Sequence, residues 1–63
     1  MVILFEGDYV LAKGSTSYAR VVDILFDDYV LLESGDRVLA DDSEVADYRS
    51  AKEYQSMISG VNV

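Results

Sequence analysis

The stretch "ARVVDILFDDYVLLESGDRV", residues 19–38, decides the fold, because two apolar runs flank an acidic pair, Asp27-Asp28. Asp tolerates left-handed backbone better than most residues, so the acidic pair predicts a tight turn between two strands. Gly35 follows the second run and takes positive φ without strain, which predicts another turn there. The stretch therefore predicts three successive antiparallel strands.

Both faces of the first hairpin are largely apolar, which raises the question of what covers the second face. A two-residue turn predicts the pairs Phe26 with Tyr29, Leu25 with Val30 and Ile24 with Leu31. One face then carries Val22, Ile24, Phe26, Tyr29 and Leu31, and the other carries Ala19, Val21, Leu25, Val30 and Leu32. An antiparallel sheet open to water on one side would show polar residues there. We therefore expect one face to line a small barrel, and the other to be covered by a C-terminal helix or another protein.

The rest of the first 40 residues is also typical of short strands separated by turns. β-branched and aromatic runs alternate with segments rich in Gly, Ser and Asp, and no proline interrupts them. The predicted strands are residues 1–5, Tyr9–Lys13, Tyr18–Phe26, Tyr29–Glu33 and Arg37–Ala40.

The character of the chain changes after Ala40, and an amphipathic helix is predicted for residues 43–58. Asp41 and Glu44 have the spacing of a capping box, and further acids suit the positive end of a helix dipole. At 100° per residue, one stripe of this helix would carry Tyr48, Ala51, Tyr54 and Ile58. Gly60 is a natural stop, and residues 60–63 are predicted as a tail or short strand.

In its strand order the chain resembles SH3-like small barrels of the Tudor, KOW and PWWP branch. Gly7-Asp8 would open the first barrel strand, and "YARVV", residues 18–22, is similar to the second strand of such domains. The resemblance implies a mainly β fold, a five-stranded barrel with a C-terminal helix. Tudor domains bind methylated side chains through aromatic cages, which implies a role for the rings of Tyr9, Tyr18, Phe26 and Tyr29. The small size also resembles that of bacteriophage accessory proteins.

Length and composition predict one domain, residues 1–63, without disulfide, metal or cofactor. The chain has no Cys and no His, so it can form neither a disulfide nor the common zinc sites. The usual catalytic pairs of nucleophile and base are also missing, and no enzymatic activity is expected. The absence of Cys is consistent with a reducing cytoplasm. No apolar run approaches the roughly 20 residues of a membrane span, and "MVILF" is too short for a signal peptide.

A net charge of −7 narrows the partners that the protein can bind. Nucleic acid and anionic membranes require Lys and Arg, so neither is expected, whereas a basic protein partner is favoured. Self-association into a homodimer is another form of protein–protein binding that these features allow. The function that we predict is that of a protein–protein interaction module or inhibitor.

Two groups of residues are candidates for contacting the partner. Tyrosine offers a large contact area at low entropic cost, and clustered acids would attract a basic surface. The candidates are Tyr9, Tyr18, Tyr29, Asp41, Asp42, Glu44 and Asp47. Packing explains the tyrosines equally well, and helix capping explains the acids. A DNA mimic, whose carboxylates imitate spaced phosphates, is the alternative function.

Overall fold

A computed structural model describes residues 2–60 and shows a mainly β fold, as predicted. These residues form five strands and one helix: β1 (Tyr9–Ala12), β2 (Ala19–Ile24), β3 (Tyr29–Leu32), β4 (Arg37–Leu39), β5 (Val45–Arg49) and α1 (Ala51–Ile58). The strands are antiparallel and lie in the order β4-β3-β2-β1-β5. The outer strands β4 and β5 do not pair with each other within this part of the chain, so the sheet is open. The tail or strand predicted for 60–63 falls almost wholly outside the described residues.

Nine apolar side chains form the core, and they come from every strand, from the N-terminal segment and from the loop that follows β4. They are Val2, Leu4, Val10, Val21, Val30, Leu32, Val38, Ala40 and Val45. No polar or charged residue is buried within residues 2–60. The core is built mainly of small β-branched residues, which pack well on a pleated sheet.

The segment predicted as a first strand, residues 1–5, forms no strand in its described part. Val2 and Leu4 are buried while Ile3 and Phe5 are 67% and 65% exposed, so the side chains do alternate. A backbone hydrogen bond of 3.2 Å from the Val2 N–H to the Ala40 carbonyl attaches the segment beside the end of β4. A single bond of this kind does not make a ladder, although burial of two side chains holds the segment on the core.

The acidic pair forms the predicted turn between β2 and β3. Asp27 and Asp28 have φ of 60° and 65°, and they are the only residues other than glycine with positive φ in the described chain. The Tyr29 N–H donates to the Phe26 carbonyl at 3.2 Å and closes the turn. Local sequence thus decides this feature, since Asp adopts left-handed backbone at modest cost.

The predicted register of this hairpin is wrong by one residue. Ile24 pairs with Val30, whereas the two-residue turn predicted that it would pair with Leu31. The register also shifts between Val21 and Asp23, which is the signature of a β-bulge. This bulge lies farther from the turn than Ile24 does, so the error of one residue arises at the turn itself. There the Leu25 N–H donates to the Tyr29 carbonyl at 2.8 Å, which leaves a loop of three residues, 26–28, where two were predicted. Because paired residues share a face of the sheet, Ile24 lies on the side of Val30.

The helix begins eight residues later than predicted, and residues 45–49 are a strand. Val45 is 6% exposed and lies opposite Ala12 of β1, so burial in the sheet outweighs the helical signals around it. The actual N-cap is Ser50, whose hydroxyl accepts a hydrogen bond from the Glu53 N–H at 3.2 Å. The Glu53 carboxylate accepts one in return from the Ser50 N–H at 3.0 Å, which completes a capping box.

The expected cover over the second face of the hairpin is absent from the described structure. No residue of α1 is buried, and its Tyr54 ring stacks on Tyr9 of β1. Three apolar residues of the hairpin, Val22, Ile24 and Phe26, remain 38%, 46% and 91% exposed. The helix therefore packs beside β1 and β5 and leaves an apolar surface on the β2–β3 hairpin uncovered.

Candidate partner-binding surfaces

The structure divides the seven predicted contact residues among three places. Tyr9, Tyr18 and Asp47 come together near α1. Tyr29 lies apart from them, next to Phe26 at the tip of the β2–β3 hairpin. The remaining three acids, Asp41, Asp42 and Glu44, lie in the loop between β4 and β5. The predicted residues thus do not form one continuous site.

A group that we call the tyrosine cluster, made of Tyr9, Tyr18, Tyr54, Asp47 and Arg49, attaches the helix to the sheet. The rings of Tyr9 and Tyr54 stack with centroids 4.0 Å apart and an interplanar angle of 12°. Tyr18 meets Tyr54 at 5.5 Å with a tilt of 55°. Aromatic pairs in these geometries contribute about 0.5–1.5 kcal/mol beyond the area that they bury. Part of the ring surface of Tyr9 and Tyr18 is therefore already used inside the molecule.

Asp47 holds the polar side of the tyrosine cluster together. Its Oδ2 accepts hydrogen bonds from the Tyr18 hydroxyl and from Arg49 Nε, the latter at 3.1 Å. The bond from Tyr18 lowers the pKa of the Asp47 carboxyl, and Arg49 adds to the effect. The same bond raises the pKa of the Tyr18 hydroxyl, because ionised Tyr18 would face the carboxylate. The cluster is thus most stable with Asp47 ionised and Tyr18 protonated.

This arrangement predicts a defined pH dependence of stability. Because the pKa of Asp47 is lowered in the folded state, its ionised carboxylate stabilises the fold at pH values above the unfolded-state pKa of about 3.9. This stabilisation is lost as the pH falls through the folded-state pKa. We expect Asp47→Asn to be less stable than wild type at pH 7, with a difference that shrinks below about pH 4. Tyr18→Phe, which removes only the donor, should show the same acid window. Urea unfolding followed at several pH values tests this, and a difference that stays constant down to pH 3 would contradict it.

Two of the three acids in the β4–β5 loop bind neighbouring polar groups instead of capping a helix. Asp41 Oδ1 accepts hydrogen bonds from the Ser43 hydroxyl and from the Ser43 N–H, the latter at 2.7 Å, and these bonds lower the pKa of Asp41. Glu44 Oε1 accepts from the Leu39 N–H at 3.0 Å. Asp42 is exposed. The predicted helix cap at Asp41 is therefore wrong, and the acids stabilise a tight turn between strands.

At the tip of the β2–β3 hairpin lies a surface that we call the hairpin patch, made of Ile3, Ile24, Leu25, Phe26 and Tyr29. Leu25, Phe26 and Tyr29 line one shallow groove together with Arg37. Ile3, Ile24 and Tyr29 line a second groove that reaches the core. Tyr29 belongs to both grooves, so the two apolar surfaces are continuous. The patch is bordered by Asp27 and Asp28, the residues of the turn.

The sequence placed Tyr29 on one face of the hairpin with Ile24 and Phe26, but it predicted that this face is covered and did not predict that Ile3 joins it. Phe26 was expected to pair with Tyr29 on a covered face, whereas it is 91% exposed. The sequence did contain a signal for this exposure. An aromatic residue directly before a two-aspartate turn lies at a hairpin tip, where few other elements can bury it. The role of Ile3 could not be predicted, because its approach to Ile24 depends on how the N-terminal segment crosses the core.

A third groove, of about 520 Å³, opens between the strands near the other end of β1. Core residues Val10, Leu32 and Val38 form its floor, and Tyr18 lies on its wall. Asp36 and Arg37 on its border have opposite charges, so this groove presents no dominant sign to a ligand. The four rings of the expected aromatic cage do not meet here or elsewhere. Tyr9 and Tyr18 lie in the tyrosine cluster, and Phe26 and Tyr29 lie in the hairpin patch.

Comparison of the chain with protein-family models, with curated proteins and with solved structures finds no match. In residues 2–60 there is no helix of the length and apolar character needed to cross a membrane. The chemistry of the surfaces of this chain is therefore the basis on which a function can be inferred. Among them, the hairpin patch combines exposed apolar residues with two acidic neighbours at the turn, Asp27 and Asp28, while Arg37 lines one of its grooves.

Proposed function

We propose that the protein is a small interaction module or inhibitor that binds a basic partner protein through the hairpin patch, without catalysing a reaction. The observation that carries this proposal is the exposure of Phe26, at 91%, next to Tyr29 at 37% and Ile24 at 46%. Isolated apolar residues are normal on protein surfaces, whereas a continuous group with an aromatic residue at its tip is typical of an interaction site.

The small size of the domain makes exposed apolar surface a large energetic cost. A chain of 63 residues has an expected free energy of unfolding of roughly 3–9 kcal/mol. The burial energy lost when several large apolar side chains stay exposed to water is substantial compared with this value. Burial of apolar surface contributes about 25 cal/mol per Å². A bound partner that covers Phe26, Tyr29 and Ile24 would recover this energy, which the helix does not supply.

Charge selects the kind of partner. The chain has a net charge of −7, and the hairpin patch is bordered by Asp27 and Asp28 at the turn. A basic surface would be steered toward this tip and would neutralise it on binding. A second copy of the same chain would bring like charges together at the patch, which favours a different protein over a homodimer at this surface.

The strand order supports a finer description of the fold. We propose an SH3-like small barrel of the Tudor and KOW type, in which β1 lies between β2 and β5. β2 pairs with β1 through its first residues and with β3 through later ones, with a bulge after Val21. A strand that bends in this way joins the two halves of a small barrel. The groove above Val10 and Val38 would then be the gap between β1 and β4.

Capture from a lysate of the source cell, with the protein immobilised and in parallel arms with and without nuclease, tests the proposed function. We expect a basic protein to be retained in both arms and to be released by added soluble wild-type protein. In the arm without nuclease, we expect its retention to be insensitive to added duplex DNA. Retention that requires nucleic acid, or displacement of the retained protein by DNA at moderate salt, would contradict the proposal and favour a DNA mimic.

A further inference from the structure

The second groove of the hairpin patch has a composition that identifies the side chain it would accept. Its walls are the exposed residues Ile3, Ile24 and Tyr29, and its floor reaches buried Val30. All of the lining residues are apolar or aromatic except Asp28, and the groove has a volume of about 180 Å³. It is therefore an apolar cleft whose one acidic lining residue is Asp28.

Within residues 2–60, no hydrogen bond or ion pair occupies the carboxylate of Asp28, although its backbone carbonyl accepts from the Ala40 N–H at 2.9 Å. The backbone contact, together with φ of 65°, fixes Asp28 in the turn. An aliphatic chain would pack on Ile3 and Ile24, and a cationic end would meet the carboxylate. Lysine and arginine have this combination of an apolar stem and a charged head.

We infer that the cleft between Ile3, Ile24 and Asp28 is a docking pocket for a lysine or arginine side chain of the partner protein. The inference deepens the proposed function and rests on it, because it names the group through which a basic partner would bind. Phe26 and Tyr29 would cover the neighbouring part of that partner. The net charge of −7 favours the approach of such a cation over any anionic or neutral group.

A peptide titration tests the pocket without knowledge of the partner. A short, blocked oligolysine is added to the ¹⁵N-labelled protein, and amide shifts are followed by NMR. The comparison probe is an oligomer of diaminopropionic acid, which carries its ammonium on a stem of one methylene. Both titrations are done at about pH 5, because the nearby amides make this ammonium more acidic than that of lysine and the two peptides have the same charge only below neutral pH. We expect saturable shifts around Ile3, Ile24 and Ala40 with oligolysine, and weaker binding of the short-stem peptide, because its ammonium cannot reach Asp28 from within the cleft.

The turn itself offers a matched pair of variants. Asp28→Asn and Asp27→Asn remove the same charge at adjacent positions, and Asn tolerates positive φ as Asp does, so both should stay folded. We expect Asp28→Asn to weaken oligolysine binding roughly fivefold, as for the loss of one partly exposed ion pair, and Asp27→Asn to change it less than about twofold. Equal losses in the two variants, equal affinities for the two peptides, or no saturable shift would each overturn the inference.

Failure of this inference can be told apart from failure of the proposed function. If a captured partner binds wild type and is lost with Phe26→Ala, yet binds Asp28→Asn normally, the protein is an interaction module whose cleft takes no cation. If no partner is captured at all, the proposed function fails, and the peptide titration still reports directly on whether the cleft accepts a lysine side chain.

Discussion

We expect Val45→Asp to unfold the domain, whereas Ala46→Asp, one residue further along the same strand, should leave it folded. Val45 is 6% exposed and pairs with β1 opposite Ala12, so a carboxylate there would be buried without a partner. The penalty for such a charge is several kcal/mol, comparable to the whole stability of about 3–9 kcal/mol expected for 63 residues.

Ala46 is exposed and provides the control, because its replacement adds the same charge at almost the same place in the chain. Far-UV circular dichroism and urea unfolding measure both variants. We expect no cooperative transition for Val45→Asp, and a midpoint close to that of wild type for Ala46→Asp. Similar small effects of the two substitutions would contradict a strand at residues 45–49 and would favour the helix that the sequence predicts there.

Local sequence signals predicted the centre of the fold well. The Asp27-Asp28 turn and the turn at Gly35, with φ of 96°, both form where residues that tolerate positive φ interrupt apolar runs. Strands β1 to β4 follow for the same reason, since β-branched residues between such turns have few alternatives. These features depend on a few neighbouring residues, and that is why they can be read without a structure.

The start of the helix was predicted wrongly because two capping boxes compete in the sequence. Asp41 with Glu44 and Ser50 with Glu53 have the same spacing, and further acids lie around the first pair. Only the second pair caps a helix, because Val45 has a place in the core beside β1. That place is created by residues more than thirty positions earlier in the chain, so no local pattern reveals it.

In the candidate site, too, residue types could be predicted from the sequence, whereas contacts between distant positions could not. Tyr29 was found from its type, but its continuity with Ile3 depends on an N-terminal segment that crosses the core. Tyr18 and Asp47 were chosen separately as contact residues, and their hydrogen bond joins positions 29 residues apart. Sequence reasoning thus named several of the side chains, whereas the fold decided which of them lie together.

The second large effect concerns binding. We expect Phe26→Ala to weaken the affinity for the captured partner about 30-fold or more, which corresponds to a loss of roughly 2 kcal/mol at an aromatic anchor. Stability should change little, since Phe26 is 91% exposed and belongs to the loop of the hairpin. Isothermal calorimetry with the purified partner measures the affinity, and thermal unfolding measures the stability.

Ile58→Ala is the matched control for this experiment, because Ile58 is a large apolar residue that is 57% exposed on α1, outside the hairpin patch. We expect its affinity to equal that of wild type within about twofold. If Phe26→Ala binds as well as Ile58→Ala does, the exposed phenylalanine is not an anchor, and the proposed surface is wrong.

The central claim is that the hairpin patch, and not the set of acidic residues, binds the partner. The most direct measurement compares partner capture by two folded variants in parallel. One is Phe26→Ala with Tyr29→Ala, and the other neutralises Asp41, Asp42, Glu44 and Asp47 to Asn or Gln. We predict that the aromatic variant loses the partner while the neutralised variant retains it, with only a moderate response to salt. Retention by the aromatic variant together with loss by the neutralised variant would contradict the account and favour mimicry of DNA.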